Sequence, residues 1–310
     1  MNRWGKAVLV CGAVALVGAV AVVVVRRTDG HDPAATGTPS SSPSASSTPT
    51  PTPAPTPAPT SPSPSTPATT RPVTERYDRD VTFNPLYRVG RIAASQCKEP
   101  AVRPTSVANV RAYYTQSVAC LNKVWGPAIR KAGYPFTPPE LVVHAGQQPA
   151  NVCQVSDKAA YCANVIYMDA NADIADYRAF DRMWVRTRMS FLIGHEYGHH
   201  VQDLVGIMRS SYSRASYAAS TDGRLTESRR RELQASCLSG VYLGGDRSFF
   251  PAKGAWLTKW RWLVRNRGDA WNPTRSHGSP TNHAYWSLRG FNTADPAACN
   301  TFTGPPARVA

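Results

Sequence analysis

A cluster of metal-binding residue types stands in the segment Gly194–Gly206, GHEYGHHVQDLVG, which holds three of the chain's seven histidines. His195 and His199 are four residues apart, and on an α-helix this spacing places both imidazoles on one face, close enough to chelate a single ion. Glu196 would lie beside the ion, where a carboxylate can take a proton from metal-bound water. The pattern therefore predicts a zinc centre with a general base; the alternative is a histidine-rich surface turn.

The third protein ligand of a catalytic zinc site has to come from elsewhere in the chain. The position ten residues after His195 is occupied by Val205, so a nearby third histidine is missing. Glu232 lies in the downstream segment TESRRRELQASCLSGVYLGG, whose apolar spacing predicts a second helix near 226–243. We expect this helix to supply Glu232 as the ligand; the alternative is a surface glutamate paired with the arginines before it.

Four segments of the chain resemble one bacterial family, the neutral zinc metallopeptidases, which are membrane-linked or exported proteins with a zincin-type helix. The similar segments are HEYGHHVQ (195–202), ELQASC (232–237), HGSPTNHAYWSLRG (277–290) and YCANVIYMD (161–169). The resemblance spans about residue 85 to 303. It implies that His195, His199 and Glu232 bind Zn²⁺ and that Glu196 is the catalytic acid and base.

Two places in the chain depart from the family pattern. Ser236 stands where the pattern has an aspartate, and Asn282 with His283 stands where the family tends to have glutamine and arginine. The missing carboxylate usually supports a metal-binding histidine, so an aspartate introduced at Ser236 should tighten zinc binding. The departures also leave an alternative function open, a catalytically inactive zincin fold that serves as a binding module at the cell envelope.

His277, in the segment RSHGSP, is a candidate donor to the oxyanion that forms when water attacks a peptide carbonyl. A turn containing Gly278 and Pro280 could present it to the cleft; the alternative is an ordinary loop histidine. Glu196 and His277 are thus the predicted catalytic residues. With the zinc ligands they predict a zinc metalloendopeptidase, a hydrolase that acts on peptide or protein substrates.

The segment 81–310 is long enough for one domain with a well-buried core. Helices are predicted for SVANVRAYYTQSVACLNKVWGPAIRKAG and near 178–205 and 226–243. ELVVHAG and NVIYMDA are short and rich in β-formers and are predicted as strands, of which the second could hold an extended peptide by edge pairing. We therefore predict an α+β, zincin-like fold that is mainly helical with a small sheet.

The first 80 residues differ in composition from the rest. Residues 7–25 form an uncharged apolar run long enough to cross a hydrocarbon core of about 30 Å, so 1–28 is predicted to be a signal-anchor transmembrane helix. Residues 29–80 are rich in proline, serine and threonine, which predicts a disordered linker. Such a spacer suits a domain that stands off from the bilayer. We expect the domain on the extracytoplasmic side of the cell membrane.

Six cysteines fall within the predicted domain, an even number that favours disulfides in an exported protein. The alternative, six free thiols in the cytoplasm, conflicts with the spacer. Their positions beside the predicted elements suggest the pairs Cys153–Cys162, Cys97–Cys120 and Cys237–Cys299. The last pair would fasten the C-terminal tail to the helix of Glu232.

The chain is strongly basic, with 35 lysines and arginines against 20 acidic residues and a formal net charge of +15. This balance suits anionic surroundings such as lipid head groups or acidic envelope polymers. No basic stripe with a nucleic-acid-reading motif is present, so nucleic acid is not expected as a partner. The alternative is that the charge only keeps the protein soluble.

Overall fold

The computed structural model describes residues 73–146, 158–269 and 274–310. These residues form eight α-helices and one three-stranded sheet, so the predicted mainly helical α+β class is confirmed. The helices are α1 Val73–Thr82, α2 Val107–Lys131, α3 Ala170–Ala179, α4 Arg182–Leu204, α5 Ile207–Tyr217, α6 Thr221–Gly245, α7 Gly254–Arg265 and α8 Pro280–Thr293. Short 3₁₀ helices span Pro85–Arg88, Pro296–Cys299 and Pro306–Arg308.

The sheet contains β1 (Glu140–His144), β2 (Ala159–Cys162) and β3 (Val165–Asp169) in the order β1-β3-β2. β3 pairs parallel with β1 and antiparallel with β2. β1 and β3 match the predicted strands, whereas β2 has four half-buried residues and no alternating pattern that would reveal it. Because β3 is the central strand, the expectation that it binds a peptide by edge pairing is wrong.

The described fold begins with α1, inside the stretch 29–80 that the sequence assigns to the linker. Asp78 of α1 forms an ion pair with Arg214, and Asp80 accepts a hydrogen bond of 2.9 Å from Ser210. These contacts with α5 add residues 73–80 to the predicted domain 81–310. The predicted apolar helix over 7–25 lies outside the described residues. Within the described ranges, no helix combines the length and apolarity needed to cross a membrane.

The long helix α2 packs with the apolar stripe that its sequence predicts. The side chain of Ser106 caps its first turn by accepting from the Asn109 amide, and the helix ends just before Gly133. The predicted core positions along the stripe are buried: Val110, Tyr114, Val118, Leu121 and Val124. This helix contacts α4 and thereby supports the element that carries the histidines.

Helices α4 and α6 approach each other so closely that their backbones touch. A Cβ atom on Gly198 would lie 2.6 Å from the carbonyl oxygen of Ala235, and one on Gly194 would lie 2.4 Å from Ser239 Oγ. At Gly198 the atoms met are all backbone, so only glycine allows this contact; at Gly194 an added Cβ would displace the Ser239 side chain. The two glycines lie one turn apart on the face of α4 that meets α6. The close approach brings residues of α6 within reach of the α4 histidines.

Two predicted disulfides are confirmed, Cys97–Cys120 and Cys237–Cys299. Cys162 is also disulfide-bonded, but its predicted partner Cys153 lies outside the described residues, so that pairing stays a prediction. Cys237 lies in the middle of α6, one turn after Leu233. The second bond therefore ties the segment after α8 to the helix that carries Glu232.

Loss of the Cys237–Cys299 bond should destabilise the domain strongly. It closes a loop of 62 residues, and the chain-entropy relation gives about 4 kcal/mol for that length, against about 3 kcal/mol for the separation of 23 at Cys97–Cys120. We expect the double variant Cys237→Ala/Cys299→Ala to lower the free energy of unfolding by about 4 kcal/mol in urea titration. A loss below about 1 kcal/mol would show that the tail is held by packing alone.

Candidate metal centre

His195 and His199 lie on one face of α4, as their spacing predicts. Both side chains are buried, and their ring centroids are 4.8 Å apart. The Nε2 atoms of the two rings lie 3.2 Å and 3.3 Å from the same carboxylate oxygen of Glu232, which α6 delivers across the glycine contact. The structure therefore brings the three predicted ligands together.

The spacing of these three atoms fits a zinc ion. Imidazole nitrogen and carboxylate oxygen bind Zn²⁺ at about 2.0–2.1 Å in tetrahedral sites, so two ligand atoms of one site lie about 3.3 Å apart. The two Nε2-to-oxygen distances match that edge, and all three ligand atoms lie within 4.8 Å of one another. His195, His199 and Glu232 are thus preorganised for a single divalent cation.

Gln202 determines which nitrogen of His199 faces the cluster. The amide nitrogen of Gln202 donates to the carbonyl of Arg231 and to Gln234 Oε1, each at 2.9 Å. Its amide oxygen must therefore face His199 Nδ1, also at 2.9 Å, and accept a hydrogen bond from it. Nε2 is the nitrogen left for a metal. The sequence contains the signal for this contact, since Gln202 follows His199 by three residues on a helix.

Ser236 makes the equivalent contact to His195. It lies one turn after Glu232 on α6, and its hydroxyl is 2.9 Å from His195 Nδ1. The hydroxyl is also 2.9 Å from Nε2 of His283, a residue of α8. Ser236 thus reaches the ligand that an aspartate at this position would reach, but as a neutral group.

The electrostatics keep the carboxylate ionised. Burial acts to raise the pKa of Glu232, yet the neighbouring His199 and His195 hold it well below its usual range. Burial lowers the pKa of His195 to about 4 although Glu232 acts against it. For His199 burial also acts downward, but the carboxylate of Glu232 outweighs it and the pKa rises to about 9. At neutral pH the metal-free cluster therefore holds an ionised carboxylate beside a protonated His199. A cation would displace the His199 proton and meet one negative oxygen and two imidazole nitrogens, the donor set of zinc sites.

The two predicted catalytic residues lie beside the cluster. Glu196 is buried in the same turn of α4, and its charge contributes to raising the pKa of His199. His277 Nε2 is 3.6 Å from the shared oxygen of Glu232. The side chain of His277 is 43% exposed, so it stands on the open side of a cluster that is otherwise buried.

The remaining histidine of the motif faces away. His200 Nε2 lies 2.9 Å from the carbonyl oxygen of Thr137, and its ring packs against Tyr197 and Tyr161. Burial lowers its pKa to about 4. His200 is thus a structural residue of the core, in agreement with its position one step round the helix from His199.

A profile described as "Putative neutral zinc metallopeptidase" matches residues 88–249. The chain belongs to this family. The matched range contains α4 and α6 and hence His195, His199 and Glu232, whereas His277 lies beyond it. The family assignment therefore agrees with the cluster that the geometry assembles.

Two proteins similar to this chain carry names that assign no activity. "Uncharacterized protein YpfJ" of Escherichia coli strain K12 is 29% identical over 205 residues, which cover 60% of this chain and 69% of the relative. "Uncharacterized protein Mb2605" of Mycobacterium bovis is 26% identical over 207 residues, covering 59% and 67%. No solved structure matches the chain.

Substitution of Gly198 should weaken metal binding without touching a ligand. In Gly198→Ala the new Cβ would meet the Ala235 carbonyl, and the strain of overpacking, about 1–3 kcal/mol, is relieved when α6 and Glu232 move away from the histidines. We expect zinc affinity, measured by competition with a chromophoric chelator, to fall by about 10–100-fold.

Gly245→Ala is the matched control on α6, because its Cβ would meet the Ile92 side chain at 3.2 Å and the Ile92 carbonyl oxygen at 3.8 Å, and none of the three atoms nearest to it belongs to α4. This variant should keep the zinc affinity of the parent. Equal affinities for both variants and the parent would show that the α4–α6 spacing does not control the site.

Proposed function

We propose that the chain is a zinc-dependent peptidase that hydrolyses peptide bonds with a metal-activated water. The observation that carries the proposal is the convergence of His195, His199 and Glu232 beside the buried carboxylate of Glu196. The family membership supports the same chemistry at a coarser level. The pair of helices α4 and α6, with the small sheet, corresponds to the zincin-like arrangement that we propose for the domain.

The residues of the chain take distinct roles in this proposal. His195, His199 and Glu232 would hold the ion, which when bound polarises the scissile carbonyl and lowers the pKa of water towards neutrality. Glu196 takes the proton of the attacking water and passes it to the leaving amine. Glu196 is buried in the same turn of α4 as the two histidines, so its carboxylate lies beside the cluster where this transfer would take place.

In this proposal His277 assists the hydrolysis from the solvent-facing side of the metal cluster. A donor near the reacting carbonyl stabilises the negative charge that develops on its oxygen. The partly exposed ring of His277 lies close to Glu232, and its backbone amide donates a hydrogen bond of 2.8 Å to Asp269. We propose that His277 supplies this donor to a substrate that enters from solvent.

A second candidate function is an inactive zincin fold that binds zinc and a partner without hydrolysis. The observation that favours it is Ser236, which stands where the family pattern has a charged residue. The hydroxyl of Ser236 nevertheless makes the supporting contact to His195. The contact is thus retained although its charge is lost, which is why we place hydrolysis first.

The two candidates differ in the effect of Glu196→Gln. This substitution removes the proton acceptor but none of the proposed zinc ligands. We expect the variant to bind one zinc with the affinity of the parent while its digestion of a peptide library falls by at least about 100-fold, the usual contribution of a general base. His200→Gln serves as the control, because His200 is buried on the far side of α4 and should leave digestion intact.

A parent protein that binds zinc but cleaves no peptide would favour the binding module. A parent that binds no zinc would overturn both candidates. Unchanged digestion by Glu196→Gln would move the catalytic base elsewhere.

We further propose that the domain lies outside the cytoplasmic membrane, anchored by residues 7–25. The disulfides Cys97–Cys120 and Cys237–Cys299 support this placement, because such bonds persist in oxidising compartments. Protease added to intact cells should remove the domain. Protection of residues 73–310 until lysis would contradict the placement.

A further inference from the structure

The two departures from the family pattern touch each other. Ser236 on α6 and His283 on α8 are 47 residues apart in the chain, and Ser236 Oγ lies 2.9 Å from His283 Nε2. Both side chains are buried, at 1% and 4% exposure. Their contact also adjoins the proposed metal ligand His195. The pair is therefore best understood as one unit.

The direction of the hydrogen bonds in this unit follows from its last member. His283 Nδ1 lies 2.9 Å from the carbonyl oxygen of Val264. Val264 stands in the last turn of α7, where carbonyls have no partner within the helix and can only accept. His283 Nδ1 must therefore be the donor. Burial, together with the charge of Arg267, lowers the pKa of His283 to about 3, so the ring is neutral and its Nε2 carries only a lone pair.

The hydrogen bonds from His283 to His195 run in one consistent direction. Because Nε2 of His283 can only accept, the hydroxyl hydrogen of Ser236 points towards it. The Ser236 oxygen then offers a lone pair to His195, whose Nδ1 donates across 2.9 Å. Because His195 makes this contact through Nδ1, Nε2 is the nitrogen that faces Glu232 and would bind a cation.

We propose that His283 is a positioning residue for the metal ligand His195 and acts on it through the hydroxyl of Ser236. In this chain a neutral serine and a neutral histidine together do what a carboxylate does alone, because each gives the next group only one way to orient its hydrogen. The inference rests on the proposed zinc site.

The contact changes the expectation for Ser236→Asp. The new carboxylate would accept from His195, but it would also face the lone pair of His283 Nε2 and leave two acceptors opposed in a buried place. If the hydrogen of His283 moved from Nδ1 to Nε2 to donate to the carboxylate, the lone pair of Nδ1 would face the carbonyl oxygen of Val264, and two acceptors would be opposed there instead. We therefore expect Ser236→Asp alone to weaken zinc binding. With His283→Arg in addition, the carboxylate gains a charged donor and the affinity should recover.

A double-mutant cycle tests the proposal in the purified full-length chain. We expect His283→Leu and Ser236→Ala each to reduce zinc affinity by about 10–100-fold, as for other groups that orient a ligand, when measured by competition with a chromophoric chelator. In the double variant the loss should be no larger than in Ser236→Ala, because His283 acts only through the hydroxyl. His283→Gln should keep most of the affinity, since its amide can accept from Ser236 and donate to Val264.

Asn282→Ala provides the matched control on α8. Asn282 is buried beside His283 but donates to the carbonyls of Ala307 and Ala310 in the C-terminal tail. Its substitution should leave zinc affinity at the parent's value. Urea unfolding of every variant separates loss of the fold from loss of the site.

The protonated nitrogen of His195 gives a readout that general destabilisation does not move. In the zinc-free protein, ¹⁵N spectra of labelled histidine should show a hydrogen on Nδ1 of His195 in the parent and in His283→Gln. In His283→Leu the Ser236 hydroxyl is free to donate to Nδ1, so the population with hydrogen on Nδ1 should fall. Additive losses in the cycle, or an Nδ1 population unaffected by His283→Leu, would overturn the proposal. If the parent bound no zinc, the proposed function would fail, while the nitrogen spectra would still decide the role of His283.

Discussion

The backbone contact between α4 and α6 is the constraint on which the rest of the site depends. Gly194 and Gly198 leave no side chain between the helices, so Ala235 and Ser239 pack directly on α4. At this distance a glutamate and a serine one turn apart on α6 reach the same imidazole from two sides. A wider spacing would put Glu232 out of range of both histidines, whatever their positions along the helix.

The Nδ1 atoms of His195 and His199 are each fixed by a series of hydrogen bonds that ends on a main-chain carbonyl. One series runs from His199 through Gln202 to Arg231, and the other runs from His195 through Ser236 and His283 to Val264. A carbonyl oxygen can only accept, so each series has a single consistent direction. Both leave Nε2 facing Glu232. The fold thus prepares the donor atoms before a cation arrives, which reduces the free energy needed to organise them on binding.

Helix α6 is fixed on more than one side. Its Cys237 is bonded to Cys299, and it packs along α8 as well as α4. Helix α8 also carries His283. The packing of α6 on α8 that fixes Glu232 therefore also aligns the hydrogen bonds from His195 through Ser236 to His283. The C-terminal segment is therefore part of the support of the cluster although it contributes no proposed ligand. This arrangement explains why His283, outside the matched range 88–249, bears on residues inside it.

The sequence by itself determined what depends on local spacing. His195, His199 and Glu196 share a turn, Ser236 follows Glu232 by one turn, and α2 repeats its apolar residues at helical intervals, so their placement follows from the 3.6-residue period. Two strands followed from short runs of β-forming residues, and two disulfides followed from cysteines that stand beside the predicted elements. The tertiary structure alone decided that β3 is central, that residues 73–80 join the fold, and that His283 meets Ser236. These features depend on contacts between segments far apart in the chain, for which a sequence period carries no information.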